Sequence, residues 1–376
     1  MAVSRADNST LGRWWWSVDR ATLIAVGVLM LFGYILMQAA SPAVAQRLHQ
    51  AREMLLFKQV LFLVVAGVVM IAVSLLSPRQ VRRAALIGCA IALLLTALTL
   101  VMGTSIKGGR RWLALPGLSL QPSEFLKPFF AVATAWLLAR ARREPGFPGT
   151  LLAGGIWLVI AVLLPQQPDI GMFAVITAVF AIQLYLSGVP VALMGALAAG
   201  GVGLAGVAFM LLPHVHSRVE RFIHPDSAHG VGDNFQVKTA MQAFGNGGLL
   251  GRGPGEGHIK DILPDAHADF IFAVAGEEFG LLVCLLIVAV FVFIVLRGFQ
   301  RAYDDPDQFC ALAAAGLVAS FGLQAFINMA STLHLIPTKG MTLPFISYGG
   351  SSAIAVALGM GMLLALTRRR FHGDET

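Results

Sequence analysis

The chain has 376 residues, of which 57% are hydrophobic and only 12% charged, with a net charge of +7 at pH 7 and a mean hydropathy of +0.76. A soluble domain carries about twice that share of charge, so a soluble globular chain is excluded, and recurring apolar runs of about 20 residues match a bilayer core about 30 Å thick. The absence of sustained apolar–polar alternation excludes a lipid-embedded barrel, and basic residues are too scattered for a nucleic-acid surface, so no nucleic acid is expected as a partner.

In chain order, a polar tail carries Arg5, Arg13 and Arg20, and Trp14, Trp15 and Trp16 precede the first apolar run as an interfacial belt. That run is of spanning length and lacks a small-residue cleavage site, so it reads as a membrane helix and not as a cleaved signal. Ten spans are predicted, over 21–41, 55–77, 84–103, 122–140, 149–165, 170–187, 190–213, 270–297, 308–332 and 345–367. The fold class is therefore all-α: a polytopic integral membrane protein, one domain over 21–367 between tails 1–20 and 368–376. Cys89, Cys284 and Cys310 lie far apart inside apolar runs, without metal-ligand spacing, and read as small buried hydrophobes.

An even number of spans puts both termini on one side. Arg79, Arg82 and Arg83, Arg140, Arg142 and Arg143, Arg297 and Arg301, and Arg368 to Arg370 share that side with the N-terminal arginines, and the positive-inside rule makes it cytoplasmic. The opposite face carries the loops 42–54, 104–121, 166–169, 214–269 and 333–344. These are not poor in basic residues: Lys107, Arg110 and Arg111 crowd one loop, and Arg218, Arg221, Lys238, Arg252, Lys260 and Lys339 lie in others. Such residues suit an anion handled on that face, such as a phosphate or pyrophosphate head group. The long loop 214–269 has apolar residues at irregular helical spacings and is expected to form short amphipathic helices on the membrane surface.

Ionisable residues inside spans are costly and usually face a polar interior. Glu124 and Lys127 are three apart at the start of the fourth span, on one helix face and able to pair, whereas Lys58 reads as snorkelling. Asp169 follows Gln166-Gln167-Pro168 near the outer interface. Of the adjacent Glu277 and Glu278, one is expected to be internal and one structural. His214 and His216, before Arg218 and Arg221, read as interface residues ahead of a metal pair, which their spacing leaves open. Taking Pro264 as the first helical residue places Asp265 and Asp269 on one face of a helix start, where the dipole favours anions. The pattern Asp265, His267, Asp269 leaves a metal site open. The glycines at 251, 253, 255 and 257 are not a nucleotide loop, because no strand precedes them and Pro254 interrupts them. Residues 340–352, GMTLPFISYGGSS, suggest a broken or closely packed helix start.

Five of these stretches together resemble the SEDS family (shape, elongation, division and sporulation). They are KGGRRWLALPGLSLQPSEFLK at 107–127, QPDIG at 167–171, RVERFIHP at 218–225, ILPDAHADFIFAVAGEEFG at 262–280 and PTKGMTLPFISYGGSS at 337–352. They stand in family order and cover nearly the whole chain. WWWSVDR and the GRGPGEG form of the loop point to the cell-division branch ahead of the elongation branch.

The resemblance implies a glycosyltransferase that polymerises peptidoglycan from lipid II, with its active site facing the periplasm from the cytoplasmic membrane, at the division septum. It implies Asp269 as the essential acid, acting as general base, with Trp112 and the Glu124/Lys127 pair in the site. Lys107, Arg110, Arg111, Lys127 and Lys339 would face the pyrophosphate, and Asp169, His267 and Ser351 would line the same cavity. A divalent cation, Mg2+ or Mn2+, could share the charge, with Asp169 or Asp265 as ligand; no organic cofactor is expected. The implied partners are a class B penicillin-binding protein (a transpeptidase), other divisome proteins and membrane lipid. Two departures stand out: Ala268 replaces the usual Thr, and His224 stands where an acidic or amide residue is common. A lipid II flippase and a non-catalytic scaffold are the competing readings.

Overall fold

The computed structural model of the chain describes residues 9–48, 51–106, 109–115, 118–211, 233–337 and 340–368, together with positions 216 and 220. Lys107, Lys339, His214, Arg218, Arg221 and His224 lie outside these residues.

Helices occupy each of the ten expected spans. After the short α1 (Thr10–Ser17) come α2 (Arg20–Leu48), α3 (Arg52–Ser74), α4 (Pro78–Met102), α5 (Pro122–Arg143), α6 (Gly149–Gln166), α7 (Ile170–Leu186) and α8 (Val191–Leu211). The long loop contributes α9 (Asp233–Gly247) and the single turn α10 (Ile259–Ile262), and the chain closes with α11 (Ile271–Tyr303), α12 (Gln308–Thr332) and α13 (Gly350–Leu366). By length and composition α2, α3, α4, α6, α11 and α12 are able to cross a membrane, and α7, α8 and α13 are shorter apolar helices. The protein is a polytopic helical membrane protein.

Local chemistry sets several helix starts. Ser77 and Gln80 form a reciprocal capping box at α4, with Pro78 at the first helical position. Asp307 caps α12 by accepting from the Phe309 N–H. Asp169 does the same for α7, at 3.3 Å from the Met172 nitrogen.

One element was not expected. Between α4 and α5 the chain folds into an antiparallel meander of β1 (Thr104–Ile106), β2 (Gly109–Leu115) and β3 (Leu118–Leu120). Pro116-Gly117, set between short apolar alternations, is the hairpin signal that announces it. Because neighbouring strand residues point to opposite faces, Arg110 and Arg111 part company: Arg110 is exposed and reaches the Leu100 carbonyl, while Arg111 turns toward the α6–α7 connection.

The centre of the bundle is α5, α12 and α13, which bury most of their length. The outer helices leave residues such as Leu94 on α4, Leu151 on α6 and Val191 on α8 exposed, as lipid-facing positions require. Gln183 on α7 ties the centre together by binding Thr134 and the carbonyls of Ala131 and Leu312.

α11 is two pieces. Its run breaks at Gly280, which has φ 77°, a value that L side chains rarely adopt. The strap 248–253 docks into that break: Leu281 donates to the Gly248 carbonyl, and Arg252 and Gly253 donate to the Glu277 and Glu278 carbonyls. α9 packs on the first piece through Phe244 against Phe272.

At the arginine-rich end, Asp19 accepts two bonds from Arg297, at 2.6 and 2.7 Å, and one from Thr22. Burial pushes the Asp19 carboxyl up, but these bonds and the charges of Arg297 and Arg301 outweigh it and hold the group below the usual aspartate range.

Candidate active site

Asp269 does not start a helix. Residues 264–270 form a run of turns, Asp265 has φ 53°, and α11 begins only at Ile271 with Phe270 as its cap. The expectation that Pro264 opens a helix is therefore corrected: the Phe270 N–H bonds back to the Asp265 carbonyl, and the Ala268 N–H does the same. A short polar side chain makes Asp one of the residues that tolerates this conformation.

The turn is clamped from outside, through main-chain atoms. Asn328 of α12 donates to the Asp269 carbonyl at 2.9 Å and also to the Met341 carbonyl. Ser347 donates to the Ala268 carbonyl at 2.6 Å, and the Tyr348 N–H donates to the His267 carbonyl at 2.9 Å. The His267 ring packs on Tyr348, 5.4 Å between centroids. The half-buried Asp269 carboxylate is thus carried on a fixed backbone.

The buried Glu124/Lys127 pair forms at 2.7 Å, as its spacing predicted. It belongs to a closed ring of side chains. Lys127 also binds Gln324 of α12; Gln324 donates to the Thr342 carbonyl at 3.0 Å and to its hydroxyl at 3.2 Å. Thr342 and Ser352 share a hydrogen bond at 2.6 Å, and Ser352 donates to Glu124 at 3.2 Å. Ser351 is buried next to Ser352, and the bond to Glu124 is made by Ser352.

Arg111 is committed to structure. Its guanidinium donates to the carbonyls of Gln167 and Pro168, both at 2.7 Å, and lies 3.8 Å from the Asp169 carboxylate. Asp169 also accepts from Gln121 and caps α7. Burial raises the Asp169 carboxyl above its ordinary range, more than Arg111, the Met172 N–H and Lys127 draw it down; the Glu124 charge adds to the rise. Trp112 is half-buried on β2, paired with Thr104.

Glu277 and Glu278 are both buried and both structural, which corrects the expected division of roles. Glu277 accepts the N–H groups of His258 and Ile259, while Glu278 accepts from Gly255 and pairs with the buried Lys260. They anchor the glycine-rich loop on which the Asp269 turn follows. Among the described residues no three His, Cys, Asp or Glu side chains converge to hold a metal ion. Asp169 is occupied by Arg111 and its cap, which does not fit a cation ligand, and Asp265 holds the Asp269 turn through its main-chain carbonyl.

Reading the residues in isolation misses Gln324, Asn328, Thr342, Ser347 and Ser352. A signal did exist for the first two: an amide pair one turn apart inside an apolar span marks a helix face turned to a polar interior.

The family model for FtsW, RodA and SpoVE, described as cell cycle proteins, matches residues 19–372. The chain belongs to this family. It is 43% identical over 377 residues to the probable peptidoglycan glycosyltransferase FtsW of Caulobacter vibrioides, covering 98% of this chain and 94% of that one. The FtsW of Geobacter metallireducens, named in the same way, is 34% identical across 93% of this chain and 95% of its own. Among solved structures, a chain of a peptidoglycan synthase complex that coordinates polymerization and crosslinking superposes with a TM-score of 0.79 at 26% identity, covering 93% of this chain and 97% of that one. The rod shape determining protein RodA of Thermus thermophilus gives 0.69 at 25%, covering 94% and 97%. Of the family motifs, 118–127, 262–280 and 340–352 meet through Ser352 on Glu124 and Ser347 on the Ala268 carbonyl.

Proposed function

We propose that the chain is a peptidoglycan glycosyltransferase of the division type, which polymerises lipid II into β-1,4-linked glycan. The observation that carries this reading is the Asp269 carboxylate, half-buried on a turn fixed by Asn328, Ser347 and Tyr348. A general base must lie about 2.6–3.2 Å from the proton it takes, and a carboxylate on a clamped backbone meets that demand without reordering.

In the reaction, the 4-hydroxyl of the acceptor GlcNAc attacks the anomeric carbon of the donor MurNAc. The new carbon–oxygen bond forms as the bond to pyrophosphate breaks; the proton goes to Asp269 and the electron pair leaves with the pyrophosphate. Attack opposite an α-linked leaving group gives the β product, so configuration inverts. The exposed Arg110, with Lys107 and Lys339, offsets the leaving charge. Lys127, committed to Glu124 and Gln324, ties α5 to α12. Arg111 acts through the Gln167–Asp169 turn that it holds. Pyrophosphate oxygens are themselves hard ligands for Mg2+ or Mn2+, and no step here is routed through a protein-held metal.

The arginine-rich end faces the cytoplasm by the positive-inside rule, which turns the Asp269 end to the periplasm where lipid-linked sugars meet. A class B penicillin-binding protein is the proposed partner, with other divisome proteins at the septum. The buried Glu124/Lys127 pair inside the bundle is the one observation that favours a lipid II flippase instead.

Purified protein with labelled lipid II, with and without the transpeptidase and with and without EDTA, tests the assignment. Wild type with its partner should yield glycan, and Asp269→Asn should lose about 10³-fold, within the range of general-base catalysis. An Asp269→Asn variant that polymerises normally sinks the base assignment. Lipid crossing vesicles without any glycan, even with the partner present, transfers the case to transport.

A further inference from the structure

We infer that Gly340 is a positioning residue for the Asp269 base, setting the place of its carboxylate oxygen by having no side chain. The inference rests on the reading of Asp269 as base. A Cβ built on Gly340 would lie 2.9 Å from Asp269 Oδ2, 3.6 Å from Cγ and 3.8 Å from Oδ1, so its three nearest neighbours all belong to that one carboxyl group. Two ordinary reasons for glycine are missing. Gly340 is not among the described glycines with positive φ, so its backbone suits any residue, and it is exposed, so no packed wall excludes a methyl group.

What a side chain would meet is the far end of the Asp269 side chain, which can rotate without the backbone yielding. Gly33 is the contrast: its Cβ would stand 2.3 Å from the Phe345 carbonyl oxygen, and there the backbone itself would have to yield. At position 340 the fold therefore tolerates alanine and the carboxylate moves. A group that must sit within hydrogen-bond reach of the attacking hydroxyl is sensitive to such a shift; a misplacement of about 1 Å can cost about 10²-fold in rate.

The test uses the full chain with its transpeptidase partner and labelled lipid II, comparing wild type, Gly340→Ala and Asp269→Asn for kcat, KM and thermal midpoint. Gly340→Ala should lower kcat by about tenfold or more with KM near the wild-type value. Its thermal midpoint should stay with the wild type. Wild-type kcat in Gly340→Ala, with Asp269→Asn inactive, overturns this inference and leaves the base assignment standing. A large fall in thermal midpoint overturns it as well, since the clash would then fall on the backbone. If Asp269→Asn is active, both readings fail together.

Discussion

Asp269 and the Glu124/Lys127 pair share one loop, 340–348, yet they are held by opposite means. The Asp269 turn is gripped by its carbonyls, through Asn328, Ser347 and Tyr348. The ion pair is held side chain to side chain, in a ring that needs Gln324, Thr342 and Ser352 to keep their identities. Main-chain clamping tolerates substitution within the clamped segment, because every residue offers the same carbonyl. A buried ring of side chains tolerates little, because each member neutralises or satisfies the next.

The contrast is broken most severely at Lys127. Lys127→Met leaves Glu124 buried without its cation and should cost about 3–5 kcal/mol, as removal of one partner of a buried pair does. Thermal unfolding in detergent measures it, and Glu124→Gln added to Lys127→Met should recover part of the loss. No recovery in the double variant would mean that the ring is worth more than its charges.

Asn328→Ala attacks the clamp from its outer side. Two carbonyls, of Asp269 and Met341, lose their amide donor, for about 1–3 kcal/mol of stability. Glycan synthesis should fall well beyond what that destabilisation explains, because the base is released; equal losses of folding and activity would count against the clamp.

The smallest effect is expected inside the clamped turn. Ala268 contributes its carbonyl to Ser347, so its side chain is not part of the grip. Ala268→Thr, which restores the common family residue, should change stability by no more than about 0.5 kcal/mol and leave the polymerisation rate near the wild-type value. A clear gain in rate would show that the threonine hydroxyl supplies something the clamp does not.

Much of the site was legible because its determinants are local. Glu124 and Lys127 pair because residues three apart on a helix are neighbours, and Asp169 falls between two helices because the connection that holds it is short. The misreadings share one cause as well. Pro264 is a sound helix-start signal, but the bonds back to the Asp265 carbonyl win locally and delay the helix to Ile271. Lys107, Arg110 and Arg111 read as one basic cluster, but a strand sends Arg110 and Arg111 to opposite faces. Glu277 and Glu278 looked divisible because adjacent residues on a helix face different directions; the segment 255–260 folds over the start of α11 and takes both side chains.

The sequence by itself determined the helical membrane architecture and where its helices lie, because a bilayer requires each crossing segment to satisfy its own backbone, a demand met within the segment. It also marked Glu124 and Lys127 as a pair turned to a polar interior, since a charge beside lipid is costly. The tertiary structure alone decided what each of them touches. Lys127 meets Gln324, Arg111 meets Gln167, and Asn328 meets Asp269 across long stretches of chain. Periodicity says which face of a helix is polar, but only packing says which other helix supplies the partner for that face.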